Sequence, residues 1–366
     1  MKNRSVKAAV ISASFALSAL LLTGCQDIIY AKIMNEVQLD DAEVSGTVNS
    51  IVRFGDPSTG SVYYQNGQIY YKSASSTSHV SWTNGMQNLS ALSYSYYDNT
   101  WSGVYVKKLA ANDTYMYALA VTYKQDTSEG ENVPDQQILY CSTGPGTDWS
   151  KVSSWTYSSS TAITIFCTNA PQTAHRAAYI RVGTNLYLLT GTSFPDTVTA
   201  ADSSACSAYY YNGSATPSNN WATGTNETAS ADATYWYYAT GDMLYYTDTG
   251  STTGSSDLGC SSIISMAVTS DAILLGTNGG GIVKVTNTSG VPGSSLGTFS
   301  TNADSALSSP YRILAMLCID PSASETASPA IYASSDFTGT SSSTTGSYSD
   351  IGLWSYYASR GNWNRE

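Results

Sequence analysis

Charged side chains are scarce in this chain of 366 residues, where Asp, Glu, Lys and Arg together make up 12%. An all-helical protein would look quite different from that composition. Histidine is scarcer still: only His79 and His175 occur, so a histidine-rich metal centre is excluded by supply. His175 stands beside Arg176 and reads as an exposed loop residue rather than a general base. Neither a Walker phosphate loop nor an EF-hand-like calcium loop is present, so the scattered aspartates read as turn formers. The formal charge is −11, which speaks against a nucleic-acid partner. No cofactor, metal or catalytic centre is expected from these residues.

What the chain does have begins at its N-terminus. Lys2, Arg4 and Lys7 precede Ala8 to Leu22, a stretch without charge that is short and rich in Ala and Ser for a membrane span. Leu22-Thr23-Gly24-Cys25 follows directly and resembles the lipobox of bacterial lipoproteins. The resemblance implies cleavage after residue 24, lipidation of Cys25, and a folded body outside the cytoplasm, held to a membrane in the cell envelope, with the outer membrane favoured. Loss of Lys2, Arg4 and Lys7 would take the charge from −11 to −14. Residues 25–46 read as a lipidated tether, and 47–366 as the folded domain.

Five further cysteines remain: Cys141, Cys167, Cys206, Cys260 and Cys318. Their spacing matches no zinc ribbon or CxxC redox site. Several sit in apolar runs such as Ile165-Phe166-Cys167, so most are expected to be free and buried as small hydrophobes.

The remaining composition is Ser, Thr, Gly, Asn and 29 tyrosines, which suits turn-rich β-structure. Between Ile263 and Val285, two apolar strands flank a Ser270-Asp271 turn, and a third follows the Gly279-Gly280-Gly281 break. This predicts a three-stranded meander, with the glycines as a hairpin turn rather than a phosphate cradle. The same scheme reads through Leu109 to Tyr123 around Asn112-Asp113, Ala178 to Thr190 around Gly183, and Tyr235 to Thr247 around Gly241-Asp242. A tyrosine followed by a polar loop and a tryptophan recurs at Tyr71 and Trp82, Tyr140 and Trp149, Tyr211 and Trp221, and Tyr356 and Trp363. Taking 71, 140, 211, 246, 285 and 356 as equivalent third-strand positions, the short intervals are the size of a minimal blade and the long ones imply insertions. Such a repeat predicts an all-β fold: a β-propeller of six or seven four-stranded blades over residues 47–366, with tandem β-sandwiches as the competing architecture.

Two stretches carry a family resemblance. Ser142-Thr143-Gly144-Pro145-Gly146-Thr147-Asp148-Trp149 resembles the Asp-box turn of sialidase-type propellers, with Gly144 where the box has its aspartate. Asp56-Pro57-Ser58-Thr59-Gly60 is similar to a turn of quinoprotein-type propellers, a group that includes lipoprotein subunits of outer-membrane assembly machines. A lipobox followed by a Ser/Thr/Tyr-rich degenerate propeller also resembles lipoproteins of spirochaetes. These resemblances imply fold more than function.

The functional expectation is a lipid-anchored envelope protein that binds or scaffolds a protein or glycan partner and is not an enzyme. The alternatives are a periplasm-facing subunit of an outer-membrane assembly machine and a sialidase-like glycan hydrolase. The hydrolase needs several converging arginines, and between residues 47 and 359 only Arg53, Arg176, Arg181 and Arg312 occur. Runs such as Tyr94-Ser95-Tyr96-Tyr97, Tyr209-Tyr210-Tyr211 and Tyr235-Trp236-Tyr237-Tyr238 place aromatics on both faces of a strand. Tyr96, Tyr97, Tyr210 and Trp236 are therefore the candidate aromatic binding surface, with packing between blades as the alternative role of each. The last strand is expected to close the ring by pairing in a blade that also contains chain from residues 30 to 55.

Overall fold

The computed structural model describes residues 44–55, 60–76, 82–97, 100–125, 132–167, 178–183, 185–194, 197–198, 236–247, 253–269, 272–288, 291–299, 307–319, 331–337, 351–357 and 362–366. The chain divides into two compact units, Met1–Ala42 with Arg365 and Glu43–Asn364 with Glu366. The larger unit is all-β, and no α-helix occurs among the described residues.

Among the described residues, six antiparallel sheets of three to five strands follow one another along the chain. Sheet 1 is β1 (Ser50–Phe54), β2 (Ser61–Gln65), β3 (Ile69–Ser73) and β4 (Thr83–Asn84). A separate hairpin, β5 (Ser93–Ser95) with β6 (Thr100–Ser102), precedes sheet 2, which is β7 (Tyr105–Ala111), β8 (Met116–Gln125), β9 (Asn132–Ser142) and β10 (Ser150–Thr156). Sheet 3 is β11 (Ile163–Cys167), β12 (Ala178–Val182), β13 (Asn185–Leu189) and β14 (Thr197–Val198). Sheet 4 is β15 (Trp236–Thr240), β16 (Met243–Thr247) and β17 (Thr253–Asp257). In sheet 5, β18 (Ile263–Val268), β19 (Ala272–Thr277) and β20 (Ile282–Thr288) are followed by β21 (Val291–Pro292) and β22 (Gly297–Thr298), both paired to β20. Sheet 6 is β23 (Tyr311–Cys318), β24 (Ile331–Phe337), β25 (Gly352–Tyr357) and β26 (Asn362–Arg365).

The sheets are joined through their first strands. β15 packs on β18, β18 on β23, β23 on β1, β1 on β7 and β7 on β11, so the last sheet returns to the first. A sheet covered on both faces must bury both alternating side-chain sets. Sheet 1 does so: Val52 and Tyr63 belong to the core shared with sheets 2 and 3, whereas Ile51 and Tyr64 belong to the core shared with sheet 6. In β23, Ile313, Met316 and Cys318 face the core shared with sheet 5, while Ala315 and Leu317 face that shared with sheet 1. This is a β-propeller. Sandwich packing, the competing expectation, would cover one face of each sheet rather than two.

The tyrosine doublets follow from the same rule. Tyr63 stacks on Tyr71 at 5.3 Å and its neighbour Tyr64 on Tyr70 at 5.2 Å, one pair on each face. Repetition also shows in the first strands, where β7, β18 and β23 each carry a bulge, between Val106 and Lys108, Ile263 and Ser265, and Ile313 and Ala315. A bulge interrupts the ladder and leaves a backbone group to be satisfied otherwise. The preceding sheet supplies the partner: Gln65 Nε2 donates to Lys107 O at 2.7 Å, and Ser265 Oγ to Ile313 O at 2.5 Å.

Ring closure differs from the expectation. The final strand β26 is the fourth strand of its own sheet, and sheet 1 is complete without it. Residues 351–366 contain both the third and fourth strands of sheet 6, and residues 30–43 of the stretch expected to share a blade with them lie outside the described residues. Closure is made instead by backbone and side chains: Val44 N donates to Glu366 O at 3.0 Å, Glu366 N to Leu353 O at 2.8 Å, and Arg53 Nη1 to Ile319 O at 3.0 Å. Lys72 pairs with the Glu366 carboxylate, both side chains being essentially inaccessible. Trp82 Nε1 donates to the same Glu366 oxygen at 3.0 Å, and Lys72 Nζ lies 4.5 Å from the Trp82 ring centroid and 5.1 Å from that of Tyr332. Burial pushes the Tyr332 phenol well up, and the Glu366 charge adds to the shift.

Candidate functional site

Sheet 2 departs from the repeat. Its β8–β9 hairpin runs on past the end of β7, pairing Thr122 with Gln136, Tyr123 with Pro134 and Gln125 with Asn132 beyond Val121, the partner of Tyr105. The projecting strands carry the β5–β6 hairpin against them, through contacts between β6 and β8. A two-stranded hairpin is marginal alone and needs such support. At its base, Gly103 has φ +79°, and a Cβ there would lie 2.3 Å from Ala91 O, so the chain crosses only with glycine at this point. Val104 N donates to Ser90 O at 2.9 Å, and Leu92 N to Val104 O at 3.0 Å, which pins both ends.

Strict alternation sorts the hairpin into two faces. Ser93 opposes Ser102, Tyr94 opposes Trp101, and Ser95 opposes Thr100. One face is a row of rings: Tyr96 to Tyr94 at 5.0 Å, Tyr94 to Trp101 at 5.1 Å, and Trp101 to Tyr123 at 5.7 Å. Trp101 is fixed by Nε1 donating to Asn132 Oδ1 at 2.6 Å. The other face carries hydroxyls, with Ser93 Oγ 3.1 Å from Ser102 Oγ. Burial, with Tyr105 and Tyr157 nearby, pushes the Tyr123 phenol up. Lys107 Nζ lies 5.5 Å from the Tyr157 ring centroid.

Tyr96, at the end of this row, and Tyr97, next to it in the chain, are two of the four candidate residues and are 89% and 102% exposed. Trp236 opens β15 in sheet 4, where its backbone pairs with Thr247, and its side chain lies outside the described residues. Tyr210, Cys25, His79, His175 and the Asp56 to Thr59 stretch also lie outside them. Tyr94, Trp101, Tyr123 and Asn132 complete the site and were not singled out from sequence as part of it. The signal was there: Ser93-Tyr94-Ser95-Tyr96 and Thr100-Trp101-Ser102 alternate around Asp98-Asn99.

Other candidate chemistry is absorbed by the fold. The Asp-box-like stretch is the turn from β9 to β10, where Ser142 Oγ lies 2.6 Å from Thr147 Oγ1 and the Gly144 N–H donates to it at 3.4 Å. Trp149 is buried, its Nε1 donating to Gly85 O at 2.8 Å and its backbone N–H to Asn88 Oδ1 at 2.8 Å, so it staples sheet 2 to the chain after β4. Gly144 has φ +138°, and a Cβ there would meet Phe54 Cε1 at 2.9 Å, which accounts for glycine where the box has aspartate. Gly279 to Gly281 form a hairpin turn in which Gly280 N donates to Thr277 Oγ1 at 2.9 Å. Gly293-Ser294-Ser295-Leu296-Gly297 spells G-x-S-x-G, yet it links β21 to β22, so a strand rather than the helix of a nucleophile elbow follows its serine.

Arg53, Arg181 and Arg312 belong to β1, β12 and β23 in three different sheets; Arg53 binds Ile319 O, and Arg312 pairs with Asp336. Among the described residues no three of His, Cys, Asp and Glu are grouped to hold a metal. Cys141, Cys167 and Cys318 are buried and Cys260 is half-buried, with Cys141 and Cys260 as free thiols, and Cys206 lies outside the described residues.

No family model matches the chain, and no curated protein matches it. Among solved structures, it is similar to a chain of the mitotic checkpoint complex, with 8% identity, a TM-score of 0.34 and coverage of 89% of this chain and 79% of that one. It is also similar to U3-55K, with 11% identity, a TM-score of 0.36 and coverage of 88% and 83%. Likenesses of this size carry nothing about function; the fold assignment rests on the sheet order and the junctions between first strands.

Proposed function

We propose that this chain is a lipid-anchored binding or scaffolding protein of the cell envelope, with the aromatic arm of sheet 2 as the docking surface for a protein or glycan partner. The observation that carries it is the exposure of Tyr96 and Tyr97 on a rigidly backed hairpin outside the six sheets. Repeat folds place their variable insertions where partners bind. Large rigid rings give contact area at little entropy cost. The separation of the described arginines favours binding over glycan hydrolysis. Lipidation rests on Leu22-Thr23-Gly24-Cys25 alone.

Two experiments test the reading. Cys25→Ser should abolish incorporation of a fatty-acid analogue in labelled cells, and labelling that persists in the variant rules out the anchor. The purified chain should be retained by immobilised, detergent-solubilised envelope material, and the Tyr96→Ala, Tyr97→Ala double variant should not. Equal retention of the two proteins rules out the arm as the docking surface.

A further inference from the structure

We infer that the closed interface between sheets 6 and 1 holds internal water, bound by Tyr332, Ser355, Asn364 and Glu366. In sheet 6, β24, β25 and β26 lie side by side. Tyr332 and Leu353 belong to the core shared with sheet 1, whereas Trp354 and Trp363 belong to the core shared with sheet 5. Strict alternation therefore turns Ser355 and Asn364 toward sheet 1, and Ser355 stands opposite Tyr332 in the ladder. Glu366 reaches the same side, where its carboxylate meets Lys72 and Trp82. Tyr332, Ser355 and Glu366 are wholly inaccessible, and Asn364 is 4% exposed. Yet Tyr332 Oη, Ser355 Oγ, Asn364 Nδ2 and Glu366 Oε1 each lack a hydrogen-bond partner among the described residues.

Buried polar groups are almost always hydrogen-bonded, because an unpaired one forfeits its hydration with no return. Four such groups on one face point to an occupant, and their chemistry selects it. Lys72 already matches the Glu366 charge, so a further cation would sit beside the ammonium and an anion beside the carboxylate. A neutral molecule remains. The Asn364 amide nitrogen only donates, the Glu366 oxygen only accepts and the two hydroxyls do either, so the occupant must both donate and accept. Burial keeps the Tyr332 phenol protonated, with the Glu366 charge adding to the shift, so its proton is there to donate. Enclosure excludes anything large. Water meets all of these conditions, since a buried water makes about three hydrogen bonds to groups of this kind. Spacing agrees: Ser355 and Asn364 are short side chains on adjacent strands, which lie about 4.8 Å apart, within the span of one bridging oxygen. Internal water is then part of ring closure, satisfying groups that the Lys72–Glu366 pair leaves open.

A crystal structure of the full chain at a resolution that shows ordered solvent tests this directly. At least one water should lie within hydrogen-bonding distance of two or more of the four atoms. Removing a single hydroxyl supplies a test in solution whose sign separates the alternatives. With water in place, Tyr332→Phe and Ser355→Ala each strip it of a partner, and the denaturant midpoint of each variant should fall below that of the parent. Without it, each substitution removes an unpaired buried group, and the midpoint should stay or rise. A dry interface, the four groups bonded directly to one another, an ion in place of water, or a midpoint that stays or rises in either variant each overturns the inference.

Discussion

The junction between sheets 6 and 1 and the arm of sheet 2 use the same side chains to opposite ends. At the junction, Tyr64, Trp82 and Tyr332 enclose the Lys72–Glu366 pair, with Trp82 and Tyr64 edge to face at 4.7 Å. On the arm, Tyr94, Tyr96 and Trp101 stand in similar edge and tilted contacts, yet their outer end meets solvent. Composition and ring geometry do not distinguish the two places. What does is whether a neighbouring sheet covers the second face. Aromatics that a blade closes over become structure, and those on an insertion remain available to a partner.

The largest effect should come from opening the junction. Lys72→Met leaves the Glu366 carboxylate buried without its counter-charge, which typically costs about 3–5 kcal/mol. Denaturant unfolding should show the free energy of unfolding falling by that amount, with the midpoint moving to lower denaturant. Pairing Lys72→Met with Glu366→Leu should restore most of it, because replacing a whole buried ion pair by apolar groups is often neutral. A double variant as unstable as the single one would show that Glu366 acts through its backbone bonds and its contact with Trp82 rather than through the pair.

A smaller effect tests the Asp-box-like turn, which is also structural. Gly144→Asp brings the box closer to its usual form, but it places a side chain at φ +138° and against Phe54. Such a backbone conformation costs about 1–3 kcal/mol for a residue other than glycine, so the variant should melt lower than the parent. A variant that melts unchanged or higher would mean that Phe54 yields readily and the turn tolerates the aspartate.

These contrasts mark what the sequence could disclose. The meander from Ile263 to Val285 was legible because each turn announces itself and each strand is uniformly apolar; β18, β19 and β20 fall where turn chemistry put them. The Tyr-to-Trp spacing does mark the passage from third to fourth strand in sheets 1, 2 and 6. Tyr211 and Trp221 lie outside the described residues, and the third strand of sheet 3 carries Tyr187. There Phe194 packs on Tyr187 at 4.7 Å and on Trp155 at 5.4 Å, so a phenylalanine stands where a tryptophan was sought. Tyr246 likewise lies on the second strand of its sheet, not the third. Closure was not legible because Lys72 and Glu366 are 294 residues apart and neither belongs to a motif. At the site, Tyr96 and Tyr97 stood out as a doublet, but the support from Tyr123 and Asn132 depends on β8 and β9 projecting past β7, which no local pattern encodes.

The smallest stability effect is expected where the functional effect is largest. Tyr96 and Tyr97 rest on the arm with almost all of their surface in water, so removing their rings returns little buried area. Substitutions at such positions usually stay within about 0.5 kcal/mol of the parent. Tyr96→Ala with Tyr97→Ala should therefore leave the denaturation midpoint nearly unchanged while abolishing retention on envelope material. The edge contact of Tyr96 with Tyr94 at 5.0 Å sets the upper bound, since an aromatic pair of this kind adds about 0.5–1.5 kcal/mol beyond area burial. A loss of stability approaching that of Lys72→Met would place these rings in the protein's own packing, and the distinction between covered and uncovered aromatics would fail with it. Unchanged stability together with lost retention is the outcome that a docking surface requires.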